Sequence, residues 1–387
     1  MVLYHAVSSY QLLEVMLHRM TFHEKEKAVL ILPDFITDKY PQYKRLQERG
    51  LFDEVYLFPY LRIPHKDEKQ VMEDVNWYYN HLIPHNILEF SKIYVAGAHF
   101  YFSLYLLRHK QKFSFFEDAA GMLSHAEKLY QDLRKIYPLH ANIAKKYGLF
   151  DGSNDFVEQI ICLKKAQTKE LIDNKYQDFS VEEILNQLSF FKRRKIIRFF
   201  VRKRLKEEAD AILLTQSFVN LGIMNQIEQK KMYQKMKEQL PLPNRLLIKK
   251  HPDDDLVYTD IFPEATVIQA IFPAELLPYV FHRKPDTIYT FDSTGCENLE
   301  KSFTIVRVER DGYEKRQNLD HCQLSVPASD SGTYEEDDAQ RKQGRFAYHR
   351  HHPKAKRVCA TSEGNGSFSE SFIWTDHGIK QSVCNRK

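Results

Sequence analysis

The sequence predicts an α/β protein of two domains, each built on a parallel sheet covered by helices, with a cleft between them. Three observations carry this. Short apolar runs alternate with helical patterns in the first part of the chain, a charged helix-rich stretch follows, and the alternation restarts at residue 211. Strand, helix, strand in repetition is the signature of a parallel sheet with both faces covered. At 387 residues the chain exceeds one small core and suits two domains of about 100–200 residues each.

In order, residues 2–7, 28–32, 55–58, 93–96 and 113–116 read as strands, because each is a short apolar run. Residues 10–19, 43–48, 68–81 and 101–108 lie between them with helical patterning. The stretch 125–206 is mostly helical and highly charged, as a lid and linker would be. Strands resume at 211–215, 246–249, 267–268, 287–291 and 303–308. The expected organisation is an N-terminal domain over 1–185 with a helical insertion, a basic linker helix over 186–206, a second domain over 207–317, and an irregular tail over 318–387. The tail has few aliphatic residues, no periodicity and the cluster His349-Arg-His351-His352. Such a segment cannot bury enough apolar surface to offset its ordering entropy. It reads as a disordered extension or as the product of a shifted reading frame.

Composition narrows the class. With 43% hydrophobic and 28% charged residues, 15 prolines and 13 glycines, the chain is ordinary globular material and not low-complexity. Cysteines at 162, 296, 322, 359 and 384 show no paired spacing, so neither a disulfide framework nor a zinc site is expected, and a reducing compartment fits. No leader pattern opens the chain and no apolar run approaches about 18 residues, so a cytoplasmic location is expected, at most peripheral at the inner face of the membrane. The formal net charge is only +4, but residues 192–206 carry nine basic side chains and no acid. There Ile196, Ile197, Phe200 and Val201 share one helical face. This segment suits either contact with an anionic membrane leaflet or a linker helix whose apolar stripe packs on a domain while its charges are solvated. No nucleic-acid recognition module is visible, and no nucleic-acid partner is expected.

The residues with chemistry sit at strand ends. His251-Pro252 closes the apolar run 245–250, and Pro252, lacking an N–H, forces the strand to stop there. In open α/β sheets ligands bind at that carboxyl edge. A histidine preceded by Lys249 and Lys250 suits an anion, phosphate above all. Glu117-Asp118 follows another apolar run, and two adjacent carboxylates in a closed cleft raise each other's pKa, which favours proton abstraction. Glu275 stands near a helix start after Pro273, while Ser293 and Thr294 follow a strand and precede Gly295. Hydroxyls and N–H groups at a helix start can cradle phosphate or simply cap the helix. Asp253-Asp254-Asp255 reads as a solvated turn, not a metal site.

Taken in order, Glu117-Asp118, His251-Pro252, Pro273-Ala274-Glu275 and Ser293-Thr294 resemble the motifs of bacterial sialyltransferases with two facing Rossmann-like domains, the GT-B type. The pattern looks closest to glycosyltransferase family 52 and the capsule polysialyltransferases. The segment from His5 to Gln11 is similar to their opening strand-to-helix turn, and Leu213-Leu-Thr215-Gln216-Ser217 to the strand opening their donor domain. The resemblance covers residues 1–310 or so. It implies an inverting, metal-independent transfer of sialic acid from CMP-sialic acid, a co-substrate and not a cofactor, to a surface glycan such as capsule or lipooligosaccharide. Asp118 or Glu117 is then the general base and His251 acts on the leaving phosphate. Pro252, Gln216, Ser293 and Thr294 belong to the donor site, and Glu275 takes the ribose hydroxyls. A transferase of another nucleotide sugar, or an inactive nucleotide- or carbohydrate-binding protein, are the alternatives. Two departures stand out: the motif reads Glu-Asp-Ala-Ala-Gly, with its glycine displaced to Gly121, and the tail 318–387 replaces helices that close the donor domain in the resembling enzymes.

Overall fold

Two parallel sheets organise the chain, and both belong to the same unit of it. The computed structural model describes residues 1–63, 66–168, 171, 173–291 and 293–308, with Thr294 described in its backbone alone. The expectations for the tail 318–387 and its cysteines therefore lie outside the described residues.

The first sheet contains β1 (Val2–His5), β2 (Ala28–Pro33), β3 (Glu54–Phe58), β4 (Lys92–Ala96), β5 (Phe113–Phe116), β6 (Val157–Cys162) and β7 (Tyr176–Asp178). Their spatial order is β3-β2-β1-β4-β5-β6-β7. β1 lies between β2 and β4, with Val2 paired to both Ala28 and Lys92. All of β1 and β2 is buried, which explains why they read as unbroken apolar runs rather than alternating ones.

The second sheet contains β8 (Ala211–Leu214), β9 (Leu246–Lys249), β10 (Thr266–Val267), β11 (Thr287–Thr290) and β12 (Thr304–Arg307), in the order β10-β9-β8-β11-β12. Both sheets reverse strand order beside their first strand. Each therefore has a crevice at its carboxyl edge, between β1 and β4 or between β8 and β11.

The stretch 125–206 is not simply helical. It holds the helices Ala126–Ile136, Pro138–Lys146, Val181–Gln187 and Phe190–Phe200, but it also supplies β6 and β7. Glu158 and Gln159 break the apolar run of β6, leaving only Ile160, Ile161 and Cys162 as a signal too short to read. The expected helix 43–48 is a single turn, Arg45–Glu48, preceded by another, Ile36–Lys39.

The basic segment 192–206 lies largely in the helix Phe190–Phe200, which packs on the domain as a linker helix would. Ile196, Phe199 and Phe200 are buried in a core shared with the helix Ser9–Phe22 and with strands of both sheets. Of its apolar stripe, Ile196, Phe200 and Val201 are buried and Ile197 is partly so. Burial of such side chains contributes roughly 1.5–3 kcal/mol each.

Candidate active site

The first wall of the site is built where β5 ends. Glu117 and Asp118 are adjacent, yet the backbone turns them opposite ways. Glu117 is buried, accepts hydrogen bonds from the Leu163 backbone N–H at 2.7 Å and the Gln167 Nε2 at 2.8 Å, and so ties the loop after β5 to the loop after β6. Burial pushes its carboxyl up to about 7 against the lowering effect of those bonds. The displaced glycine has its reason here: Gly121 has φ +83°, and a Cβ at that position would come within 2.9 Å of the Ala166 carbonyl oxygen.

Asp118 instead faces the cavity between the two sheets. It accepts a 2.8 Å hydrogen bond from Gln11 Nε2, and His99 Nε2 lies 4.0 Å away. Burial raises its carboxyl to about 6, with the Gln11 bond pulling the other way. The Gln11 amide has no freedom to flip. Its Oε1 accepts from the N–H groups of Val7 at 2.9 Å and Ser8 at 3.1 Å, so Nε2 must point at Asp118. The same residue completes a capping box with Ser8 at the start of the helix Ser9–Phe22.

The opposite wall comes from β8, β9 and β11. After β9 the chain turns at His251-Pro252, and this turn is pinned from below by Asp254. That carboxylate is buried, contrary to the solvated turn expected for 253–255. It accepts hydrogen bonds from Thr215 Oγ1 at 2.8 Å, Tyr258 OH at 2.6 Å, Gln229 Nε2 at 3.0 Å and the Leu256 N–H at 3.1 Å. Thr215 Oγ1 in turn accepts from the His251 N–H at 3.0 Å. The signal for this hub was the pairing of a strand-end threonine with an acid two residues past Pro252, which propensity alone does not reveal.

His251 is half-buried, and burial, with Lys39 and Lys249 nearby, lowers its pKa. Its Nδ1 accepts from the Asp253 N–H at 3.2 Å. The neutral ring therefore carries its proton on Nε2 and remains a hydrogen-bond donor. Asp253 also reaches Lys39 Nζ at 2.8 Å, an ion pair from one wall of the cleft to the other.

Glu275, in the turn Ala274–Leu276, is buried and its carboxyl is raised to about 7 by burial. Its Oε1 sits against Gly295, where a Cβ would approach it to 3.3 Å. Lys249 is buried beside it with Nζ 4.5 Å from the Phe272 ring centre, and burial brings its pKa down to about 8. Ser293 precedes a short 3-10 turn, Thr294–Asn298, and its hydroxyl makes no capping bond. The expected helix start at this point is thus a single tight turn. The side chain of Thr294 lies outside the described residues.

Asp118, Gln216, His251, Pro252, Glu275 and Ser293 all line one cavity of about 270 Å³. Glu117 does not line it; its side chain is spent on the loop. Lys249, which with Lys250 had pointed to an anion beside His251, lines it as well, and so do Lys39 and Tyr10, for which the sequence had suggested no role there. Among the described residues no group of three or more His, Cys, Asp or Glu side chains is placed to hold a metal ion. Nor is any described helix long and apolar enough to cross a membrane.

No family model matches the chain, and no curated protein matches it. Solved structures resemble it over most of their length. They include UDP-GlcNAc 2-epimerase from Methanocaldococcus jannaschii, in complex with UDP-GlcNAc and UDP, at 10% identity, TM-score 0.45, and 84% of this chain against 94% of that one. A UDP-N-acetylglucosamine 2-epimerase from Rickettsia bellii has 10% identity and TM-score 0.45, covering 82% and 81%. The glycotransferase of kitacinnamycin has 11% identity and TM-score 0.41, covering 84% and 91%. At these values the reading of the cleft rests on its own geometry. Two sheets of Rossmann order, with one cavity lined from the carboxyl edges of both, make the GT-B arrangement.

Proposed function

We propose that the chain is an inverting glycosyltransferase that moves sialic acid from CMP-sialic acid to a hydroxyl of a surface glycan. The reading is supported chiefly by one observation: a carboxylate held by Gln11 and an imidazole with its proton on Nε2 line the same cavity from opposite sheets. With a pKa near 6, Asp118 is mostly ionised at neutral pH and can take the acceptor's hydroxyl proton. The acceptor oxygen then bonds to the anomeric carbon from the face opposite the nucleotide. The bond from that carbon to the phosphate oxygen breaks, and the electron pair leaves with CMP. His251 Nε2–H donates to the departing phosphate, beside Lys249 and the hydroxyl of Ser293. Glu275, buried at the donor wall, receives the ribose hydroxyls.

The test is nucleotide release from CMP-sialic acid, UDP-sugars and GDP-sugars by the full chain, with and without glycan acceptors. The expected result is CMP release, stimulated by an acceptor and lost in Asp118→Asn. Glu275→Gln should also weaken CMP binding in calorimetry by about 1.5–3 kcal/mol, the range for losing a hydrogen bond to a charged group. Release from a nucleoside-diphosphate sugar alone would overturn the CMP assignment. Neither binding nor release of any nucleotide sugar would overturn the enzymatic reading.

A further inference from the structure

With its apolar stripe buried, the basic segment presents a different face outward. Phe190 and Phe191, at the start of the helix Phe190–Phe200, are 53% and 79% exposed. Beside them runs a groove of about 610 Å³, floored by Ile197, Val201 and Val280 and bordered by arginines. Some of the nearby cations are already engaged. Lys192 pairs with Glu24 at 2.7 Å, Arg193 donates to the Leu185 carbonyl at 3.0 Å, and Lys195 donates to the Gly50 carbonyl at 3.1 Å. Arg198, Arg202, Lys203, Arg204 and Lys206 are exposed, and none forms an ion pair with a described residue.

Five exposed cations without an ion-pair partner among the described residues, next to two protruding phenylalanines, are unfavourable in water on both counts. Self-repulsion is relieved only by anions, and the rings only by an apolar phase. A soluble polyanion supplies the first alone. We propose that this face docks on the surface of a bilayer rich in anionic phospholipid. The headgroup phosphates meet Arg198, Arg202 and Arg204, and Phe190 and Phe191 enter the headgroup–acyl boundary. The cleft reaction plays no part in this inference.

Vesicle sedimentation of the full chain tests it, using vesicles of phosphatidylcholine alone and vesicles with about a third phosphatidylglycerol. Wild type should bind the anionic vesicles at least about tenfold more tightly than the neutral ones and release them at high salt. The triple change Arg198→Gln, Arg202→Gln, Arg204→Gln should weaken binding by about 100-fold, roughly fivefold for each cation removed near the surface. Phe190→Ser with Phe191→Ser should weaken vesicle binding by about tenfold or more while leaving binding of inorganic polyphosphate unchanged. All five side chains are at the surface, so melting temperatures report whether each variant is folded, and the salt and lipid comparisons on wild type need no variant. Absence of binding to anionic vesicles, or equal binding to both kinds, overturns the proposal. So does vesicle binding that is insensitive to the two phenylalanines, which would make this a groove for soluble polyanions.

Discussion

Gln11 Nε2 donates more strongly to the ionised carboxylate of Asp118 than to its neutral form, so removing it must raise that carboxyl's pKa. Gln11→Met keeps the length and bulk of the side chain and deletes the donor. A hydrogen bond to a charged group is worth about 1.5–3 kcal/mol, and at about 1.36 kcal/mol per pKa unit the shift is about 1–2 units. The Asp118 pKa, about 6 in the intact protein, should therefore rise to about 7–8. If Asp118 must be ionised to act, turnover rises with pH through that value, and the acid limb of the pH–rate profile moves with it. The variant would be about 2–10-fold slower at neutral pH and nearly normal about two units higher. The N–H groups of Val7 and Ser8 also lose their acceptor, so the helix Ser9–Phe22 should lose about 1 kcal/mol of stability. Initial rates from pH 5 to 9, with a carboxyl-carbon NMR titration of Asp118, measure both effects. An acid limb that stays in place, or a profile lowered equally at every pH, refutes the assignment of Asp118 as the group whose ionisation controls the rate.

Asp118→Asn should cut turnover by about 10²–10⁴-fold at unchanged melting temperature, whereas Glu117→Gln should leave turnover within a few-fold. Glu117 has its pKa raised by burial, so it stabilises the fold below the ordinary carboxylate range and loses that contribution as pH rises through about 7. Thermal melts across this range should therefore flatten in Glu117→Gln. His251→Ala should lower kcat by about 10²–10⁴-fold, and normal turnover in a folded variant would remove His251 from the reaction. Asp254→Ala leaves Thr215, Tyr258 and Gln229 without their shared acceptor and should cost about 2–4 kcal/mol of stability in denaturant titrations, with donor binding weakened through the loosened His251 turn.

The sheets were legible because buried parallel strands announce themselves as apolar runs, and ten of the twelve described strands overlap the short runs read from the sequence, the less buried β10 and β12 among them. β6 and β7 were not, since a strand broken by Glu158 and Gln159, and a three-residue edge, carry no period. At the site, Asp118, His251, Glu275 and Ser293 line one cavity. What sequence could not decide was direction. Glu117 and Asp118 are chemically equivalent in a string of letters, and only the donors at Leu163 and Gln11 separate them. Asp254 was misread for the same reason: three consecutive acids look solvated until Thr215, Gln229 and Tyr258 converge on the middle one.

Strand order also has a consequence for how the chain is made. β1 takes one neighbour, β2, almost at once, but its other neighbour β4 begins only at Lys92. Residues 34–91 must be translated first, which takes about 3–12 s at roughly 5–20 residues per second. For that interval Val2, Leu3 and Tyr4 form an open, wholly apolar edge, the kind of edge that pairs with other chains. β8 repeats the situation, since β9 ends at Lys249 and β11 starts at Thr287. The reversal that opens a ligand crevice at each sheet thus leaves the crevice's own strand unprotected longest on the ribosome. Slow translation across 34–91 or 250–286 should therefore lower the yield of soluble protein more than slow translation anywhere within 101–116.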